Sequence, residues 1–230
     1  MSRTRRIAAG CLGALALVFA LLGGGAFYVT RPDPRFVHAV SIEHEATYQD
    51  PALLDRAWSL PVARLYRAHF DSQHNGSFCG PTSMVDVIRS TGGEASQEHV
   101  LDGSDIGTIF GILPGGITID QLASLARLRL PGRTVTVHRD LDLDGLRALA
   151  RRANDPAVRL IANIHRGPLF ARGGGHHSPI GGYLEPEDLV FVLDVNEAYG
   201  PWLVSSARLL EAISVVDTAT GRTRGVVSIE

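Results

Sequence analysis

The chain has 230 residues, 45% of them hydrophobic and 20% charged, with a formal net charge of -2, values ordinary for one globular domain plus an appendage. Arg3, Arg5 and Arg6 precede residue 31 with no acidic residue among them, so the remainder carries -5 and has no basic patch able to hold a phosphate backbone, which excludes nucleic-acid binding. All 22 basic residues are arginine, which also excludes lysine Schiff-base chemistry and a P-loop lysine.

In chain order, Ile7–Val29 comes first, 23 residues without a charge. As a helix this run spans roughly 35 Å, enough to cross a bilayer. The arginines before it predict a cytoplasmic N-terminus and an exported body. Residues 1–30 are therefore expected to be a signal anchor, or a signal peptide cleaved near Gly24-Gly-Ala26. The body would then face the periplasm or another extracytoplasmic space, held at the membrane by residues 7–29. Residues 31–58 read as a linker or arm, because Arg31-Pro-Asp-Pro-Arg35 is a stiff, non-helical exit. Residues 59–230 read as the catalytic domain.

Within that domain, helical spacing predicts helices over Ser83–Ser90, Thr118–Leu130 (Thr118 as N-cap) and Leu143–Arg152. Arg133–His138, Val158–Ile164 and Leu189–Val195 read as strands. A helix over Ser205–Ile213 and a strand over Gly225–Ile229 close the chain. Helices mostly precede strands, which implies an α+β fold with helices packed on a mainly antiparallel sheet.

Cys79 is the one cysteine outside the apolar N-terminal run. In an oxidising compartment it has no intramolecular partner, so it is a liability unless buried or used. It sits in Asn75-Gly-Ser-Phe-Cys-Gly-Pro-Thr-Ser83, directly before a helix, where free N–H groups and the helix dipole favour a thiolate. His176 or His177 can hold the displaced proton. Asp194, at the end of an apolar run, can orient the imidazole if Glu185–Asp188 joins two antiparallel strands. The pleat allows only one of the two histidines to meet Cys79. Gln73, six residues before the cysteine, is the candidate side-chain donor to an oxyanion, beside the Cys79 N–H. The other histidines have no partners at metal-ligand spacing, so no zinc site is expected.

Ser77-Phe-Cys-Gly80, Gly174-Gly-His-His-Ser-Pro-Ile-Gly-Gly-Tyr183, Val192-Leu-Asp-Val195, Gly116-Ile-Thr-Ile-Asp-Gln-Leu122 and Val216–Val226 resemble the catalytic half of the phytochelatin synthase family, in its short bacterial form. The resemblance implies a papain-like fold. It also implies Cys79 as acylated nucleophile, His176 as base, Asp194 as its orienter and Gln73 in the oxyanion hole. The implied substrate is glutathione, cleaved at its Cys–Gly bond through a γ-glutamylcysteinyl thioester. Hydrolysis would dominate over transfer to phytochelatins and need no cofactor; heavy-metal ions such as cadmium or zinc would enter as their glutathione complexes. A homodimer is compatible with such a domain.

Two departures from the family pattern stand out. The chain ends where longer members carry a cysteine-rich region. The segment after the aspartate, Asn196-Glu-Ala-Tyr-Gly-Pro-Trp202, also lacks the arginine common there, and Glu197 would repel a substrate carboxylate. Two other readings compete: a papain-like peptidase for another peptide, since Cys-Gly-Pro-Thr-Ser also resembles the double-glycine leader peptidases, and a non-catalytic binder of soft metals through Cys79. A single thiol is a poor trap for a soft metal.

Overall fold

The computed structural model describes residues 33–230; the expected apolar helix over residues 7–29 lies outside them. Among the described residues no helix is long and apolar enough to cross a membrane.

Helices α1 (Pro51–Trp58) and α2 (Pro61–Arg67) come first, each opened by a proline where the backbone N–H has no intrahelical partner. Next come α3 (Cys79–Ser90) and α4 (Ile119–Arg129). Strand β1 (Val135–His138) and helix α5 (Leu143–Arg152) lead to β2 (Arg159–His165), the one-turn helix α6 (Arg166–Phe170) and the long strand β3 (Gly175–Leu184). The chain closes through β4 (Leu189–Val192), β5 (Trp202–Ser205), α7 (Ser206–Ile213), the short ribbon β6 (Val216–Asp217) and β7 (Arg222–Thr223), and β8 (Gly225–Ile229).

Six strands form one antiparallel sheet in the order β1-β8-β2-β3-β4-β5. Both faces are covered. Leu189, Phe191, Ile161 and Val227 pack with the side of α1–α4, and Val190, Val192, Ala162 and Val226 with α5 and α7. Burial on both faces is why these strands read as unbroken apolar runs instead of alternating ones.

Several expectations hold with shifted ends. Thr118 caps α4 in a full capping box with Gln121, and Ser205 caps α7. Strands β3 and β4 are adjacent and antiparallel, joined by the single turn Glu185–Glu187. Strand β4 ends at Val192, short of Asp194, and its pairing with β3 shifts register between Ile180 and Gly182.

The expected linker over residues 31–58 differs most. From residue 33 on it is docked on the body. Ile42 is fully buried, Tyr48 nearly so, and Leu203 N donates to Tyr48 O at 2.8 Å. Residues 51–58 are α1, whose N-cap Asp50 accepts from Leu53 N. Pro34, one of the residues that suggested an extended arm, instead opens a single turn over Pro34–Phe36.

Candidate active site

Helix α3 begins at Cys79 itself, four residues earlier than apolar spacing predicts. Pro81 falls in the first turn, where an absent N–H costs no hydrogen bond. No side chain caps this end, so its N–H groups and dipole face whatever lies before it. Gly80 lets the helix start approach the loop before α4: a Cβ there would sit 2.5 Å from Ile117 Cδ1. Helix α3 packs on β3, and His176, the second residue of that strand, stands at the end of the sheet where the helix begins.

His176 and His177 diverge as a pleated strand requires. His176 Nε2 lies 2.9 Å from Asp194 Oδ1 and 2.9 Å from Ser178 Oγ. With Nε2 turned to Asp194, Nδ1 is the nitrogen left for the thiol. His177 Nε2 lies 2.9 Å from the Ile117 carbonyl and 2.8 Å from Asn163 Nδ2. The structure therefore brings Cys79, His176 and Asp194 together and gives His177 a separate hydrogen-bond network.

The electrostatics agree with the geometry. Burial opposes a thiolate at Cys79, but the charge of His176, its hydrogen bond, the His177 backbone N–H and the charge of Arg166 together hold the thiol below its ordinary value. Burial and Arg166 oppose a charged His176; Asp194 and Cys79 outweigh them and raise it. Burial likewise opposes the Asp194 carboxylate, yet His176, Arg166 and Trp202 hold it far below the usual carboxylate range. His177, by contrast, is pushed down to about 4, chiefly by burial. A thiolate–imidazolium pair is the resting form these shifts favour.

Two partners of Asp194 were not foreseen from the sequence. Arg166, 4% exposed, donates from Nη2 to both carboxylate oxygens at 2.8 Å, and its guanidinium lies 3.7 Å from the centre of the Tyr199 ring. Trp202 donates from Nε1 to Oδ2 at 2.9 Å. A charged residue directly after the apolar run Val158–Ile164 and His165 was the available signal for Arg166. Its partner lies 28 residues away, so the contact is purely tertiary.

Gln73 lies beside this cluster, its backbone N donating to Val195 O at 2.8 Å. Its side chain is bonded two residues on: Nε2 donates to the Asn75 carbonyl at 2.8 Å, and Oε1 is buried without a partner.

Cys79 and His176 open onto a cavity of about 760 Å³, within the range of small-ligand sites. Its lining also includes Arg224 and Asp217, both inside the Val216–Val226 motif but given no role from sequence. Arg224, 8% exposed, donates from Nη1 to Asn163 Oδ1 at 3.0 Å and has Nη2 3.7 Å from Asp217 Oδ1. Gly175 makes room for it, since a Cβ there would sit 2.6 Å from Arg224 Nη1. Among the described residues no group of three or more histidine, cysteine or acidic side chains is placed to hold a metal ion.

The family profile of phytochelatin synthase matches residues 47–226. A glutathione gamma-glutamylcysteinyltransferase 1 from Triticum aestivum is 30% identical over 176 residues, covering 70% of this chain and 34% of the relative. A glutathione gamma-glutamylcysteinyltransferase 3 from Lotus japonicus is 36% identical over 123 residues, covering 50% and 24%. The chain thus spans about a third, or less, of the length of these curated relatives. Among solved structures, a C39-like peptidase from Bacillus anthracis aligns with a TM-score of 0.51 and 14% identity, over 72% of this chain and 96% of that one. That likeness concerns the fold alone, and it agrees with the papain-like architecture the sequence implied.

Proposed function

Because the chain belongs to the phytochelatin synthase family, we propose that it cleaves the Cys–Gly bond of glutathione through a thioester on Cys79. The observation that carries this reading is one cavity lined by both parts such a reaction needs: Cys79 with His176, the latter held from behind by Asp194, and the buried Arg224–Asp217 pair suited to an α-amino acid head. Thiolate Sγ attacks the cysteinyl carbonyl carbon. The oxyanion is met by the Cys79 N–H at the helix start and by the second Nε2 proton of Gln73. As the C–N bond breaks, His176 gives its proton to the departing glycine amine. Water, activated by the now neutral His176, then attacks the thioester and releases γ-glutamylcysteine. A second glutathione amine attacking in place of water would give a phytochelatin, and a heavy-metal ion would enter as its glutathione complex. Residues 7–29 would hold this body at the outer face of a bacterial inner membrane.

The test uses the full chain in detergent with reduced glutathione, with and without cadmium. Mass spectrometry follows glycine, γ-glutamylcysteine and longer oligomers. Glycine released by the native chain and not by Cys79→Ala supports the reading. A Cys79 that alkylates rapidly while no glycine appears would redirect the search to another peptide substrate.

Two further outcomes are expected. Turnover should follow a bell-shaped pH profile. Its acidic limb reflects loss of the thiolate and falls below the ordinary thiol range near 8.5; its basic limb reflects loss of the His176 proton and lies above the ordinary imidazole range near 6.5. A single rising limb at the free-thiol value would contradict the ion pair. Replacing Arg224 by Gln, or crowding it with Gly175→Ala, should raise KM for glutathione by about 10–100-fold, the scale of a buried charge-assisted contact. Steady-state kinetics on both variants checks this.

A further inference from the structure

We propose that Asp33 and Arg35, on the arm preceding the family-matched region, form the outer half of the pocket for the α-amino acid head of the substrate's γ-glutamyl group. The inference rests on the glutathione reading above. The family match starts at residue 47, so neither residue belongs to the matched segment, yet both line the same cavity as Cys79, His176 and Arg224.

The arm has a defined seat. Asp33 caps a single turn over Pro34–Phe36, accepting from Arg35 N at 2.9 Å. Phe36 packs on His165 with ring centres 4.9 Å apart. It fills the space left by Gly167, where a Cβ would meet Phe36 Cδ2 at 2.2 Å. His165 is buried, and its Nδ1 accepts from Gly167 N at 3.0 Å. Its Nε2 faces Asp33 Oδ2 at 3.9 Å. Burial pushes His165 down to about 4, with Arg224, Asp33, Arg35 and Asp217 all acting on it. It therefore stands as a neutral spacer between two acid–base pairs, one from the arm and one from the body.

The charge arrangement points to the ligand. Arg224 Nε is buried without a partner; burial chiefly disfavours the Arg224 charge, and Arg35 adds to it. Two guanidiniums turned toward one cavity disfavour each other until an anion lies between them. Each also has a carboxylate beside it, Asp217 at 3.7 Å and Asp33 at 2.6 Å. An anion alone needs no carboxylates. A group carrying both a carboxylate and an ammonium uses all four charges, and glutathione presents that group at its γ-glutamyl end. The Arg35 side chain is 54% exposed, so it can turn from Asp33 to a ligand without leaving a buried charge behind. This places on the arm a cation that the segment Asn196–Trp202 lacks.

The experiment compares glutathione with 4-aminobutyryl-Cys-Gly, which lacks the α-carboxylate, and glutaryl-Cys-Gly, which lacks the α-ammonium. In the full chain, Arg35→Gln should raise KM for glutathione about five- to tenfold with kcat little changed, the scale of a charge-assisted contact at a rim. The same variant should match the native chain on 4-aminobutyryl-Cys-Gly, and Arg35→Lys should recover part of the loss. Asp33→Asn should raise KM for glutathione but not for glutaryl-Cys-Gly. Phe36→Ala, which keeps both charges and removes their anchor, should reproduce the glutathione defect. An unchanged KM in Arg35→Gln, an equal loss on the carboxylate-free substrate, or a defect confined to kcat overturns the role of the arm while leaving the glutathione reading intact. A native chain that releases no glycine from glutathione overturns both.

Discussion

His176→Ala is expected to lower kcat/KM for glycine release by about 10⁴-fold or more, the scale seen when a nucleophile loses its base. The variant removes two functions at once. The departing amine loses its proton donor, and the thiolate loses the charge that offsets its burial. Cys79 is 7% exposed, so with His176 gone desolvation prevails and the thiol moves above its ordinary value, whereas in the native chain it lies below. Iodoacetamide labelling across pH separates the cases: native Cys79 should react at mildly acidic pH, and Cys79 in His176→Ala only well above neutrality. His177→Ala is the contrasting variant. It leaves the Ile117 carbonyl without its partner, which should cost stability of about 1–3 kcal/mol, but it preserves the His177 backbone N–H near the thiol and the low-pH labelling. If His177→Ala abolished turnover and His176→Ala did not, the assignment of the base would be reversed.

The parts of this site legible in sequence are those with a local signature. Cys79 stands before an apolar helical run, Asp194 closes an apolar strand, and the turn Glu185–Asp188 lies at the right distance to make their strands neighbours. The choice between His176 and His177 rested on the family pattern, because periodicity shows only that the two diverge. What remained hidden depends on tertiary placement. Arg166 and Asp194 are joined across 28 residues. The Arg224 guanidinium lies against Gly175, 49 residues before it, where a Cβ would crowd it. Helices α1, α2 and α6 have eight, seven and five residues, too short for helical periodicity to show. The arm itself could not be placed: nothing in Asp33-Pro-Arg-Phe36 reveals that Phe36 has a seat over Gly167.

Asp194→Asn is expected to combine a loss of about 10⁴-fold in turnover with a marked loss of stability, a pairing that a simple orienting residue would not produce. Asp194 is 1% exposed and accepts from His176 Nε2, Arg166 Nη2, Trp202 Nε1 and Asn196 N, each at 2.8–2.9 Å. For turnover, an asparagine can turn its NH₂ toward His176 Nε2 and force the ring proton onto Nδ1, the nitrogen that must receive the proton from the thiol. For stability, the charge of Arg166 stays buried once its counter-charge is gone, which costs about 3–5 kcal/mol and about 6–20 °C in Tm. The native carboxylate has a depressed folded pKa, so its contribution is present above the unfolded carboxylate value near 3.9 and is lost only as pH falls below it. At neutral pH the asparagine variant therefore shows the full deficit. Adding Arg166→Met removes the unpaired charge and should restore most of the Tm while leaving turnover low. Thermal unfolding and single-turnover glycine release on the single and double variants check both halves. Normal turnover in Asp194→Asn would remove this residue from the catalytic cluster, and an unchanged Tm would show that Arg166 finds another counter-charge.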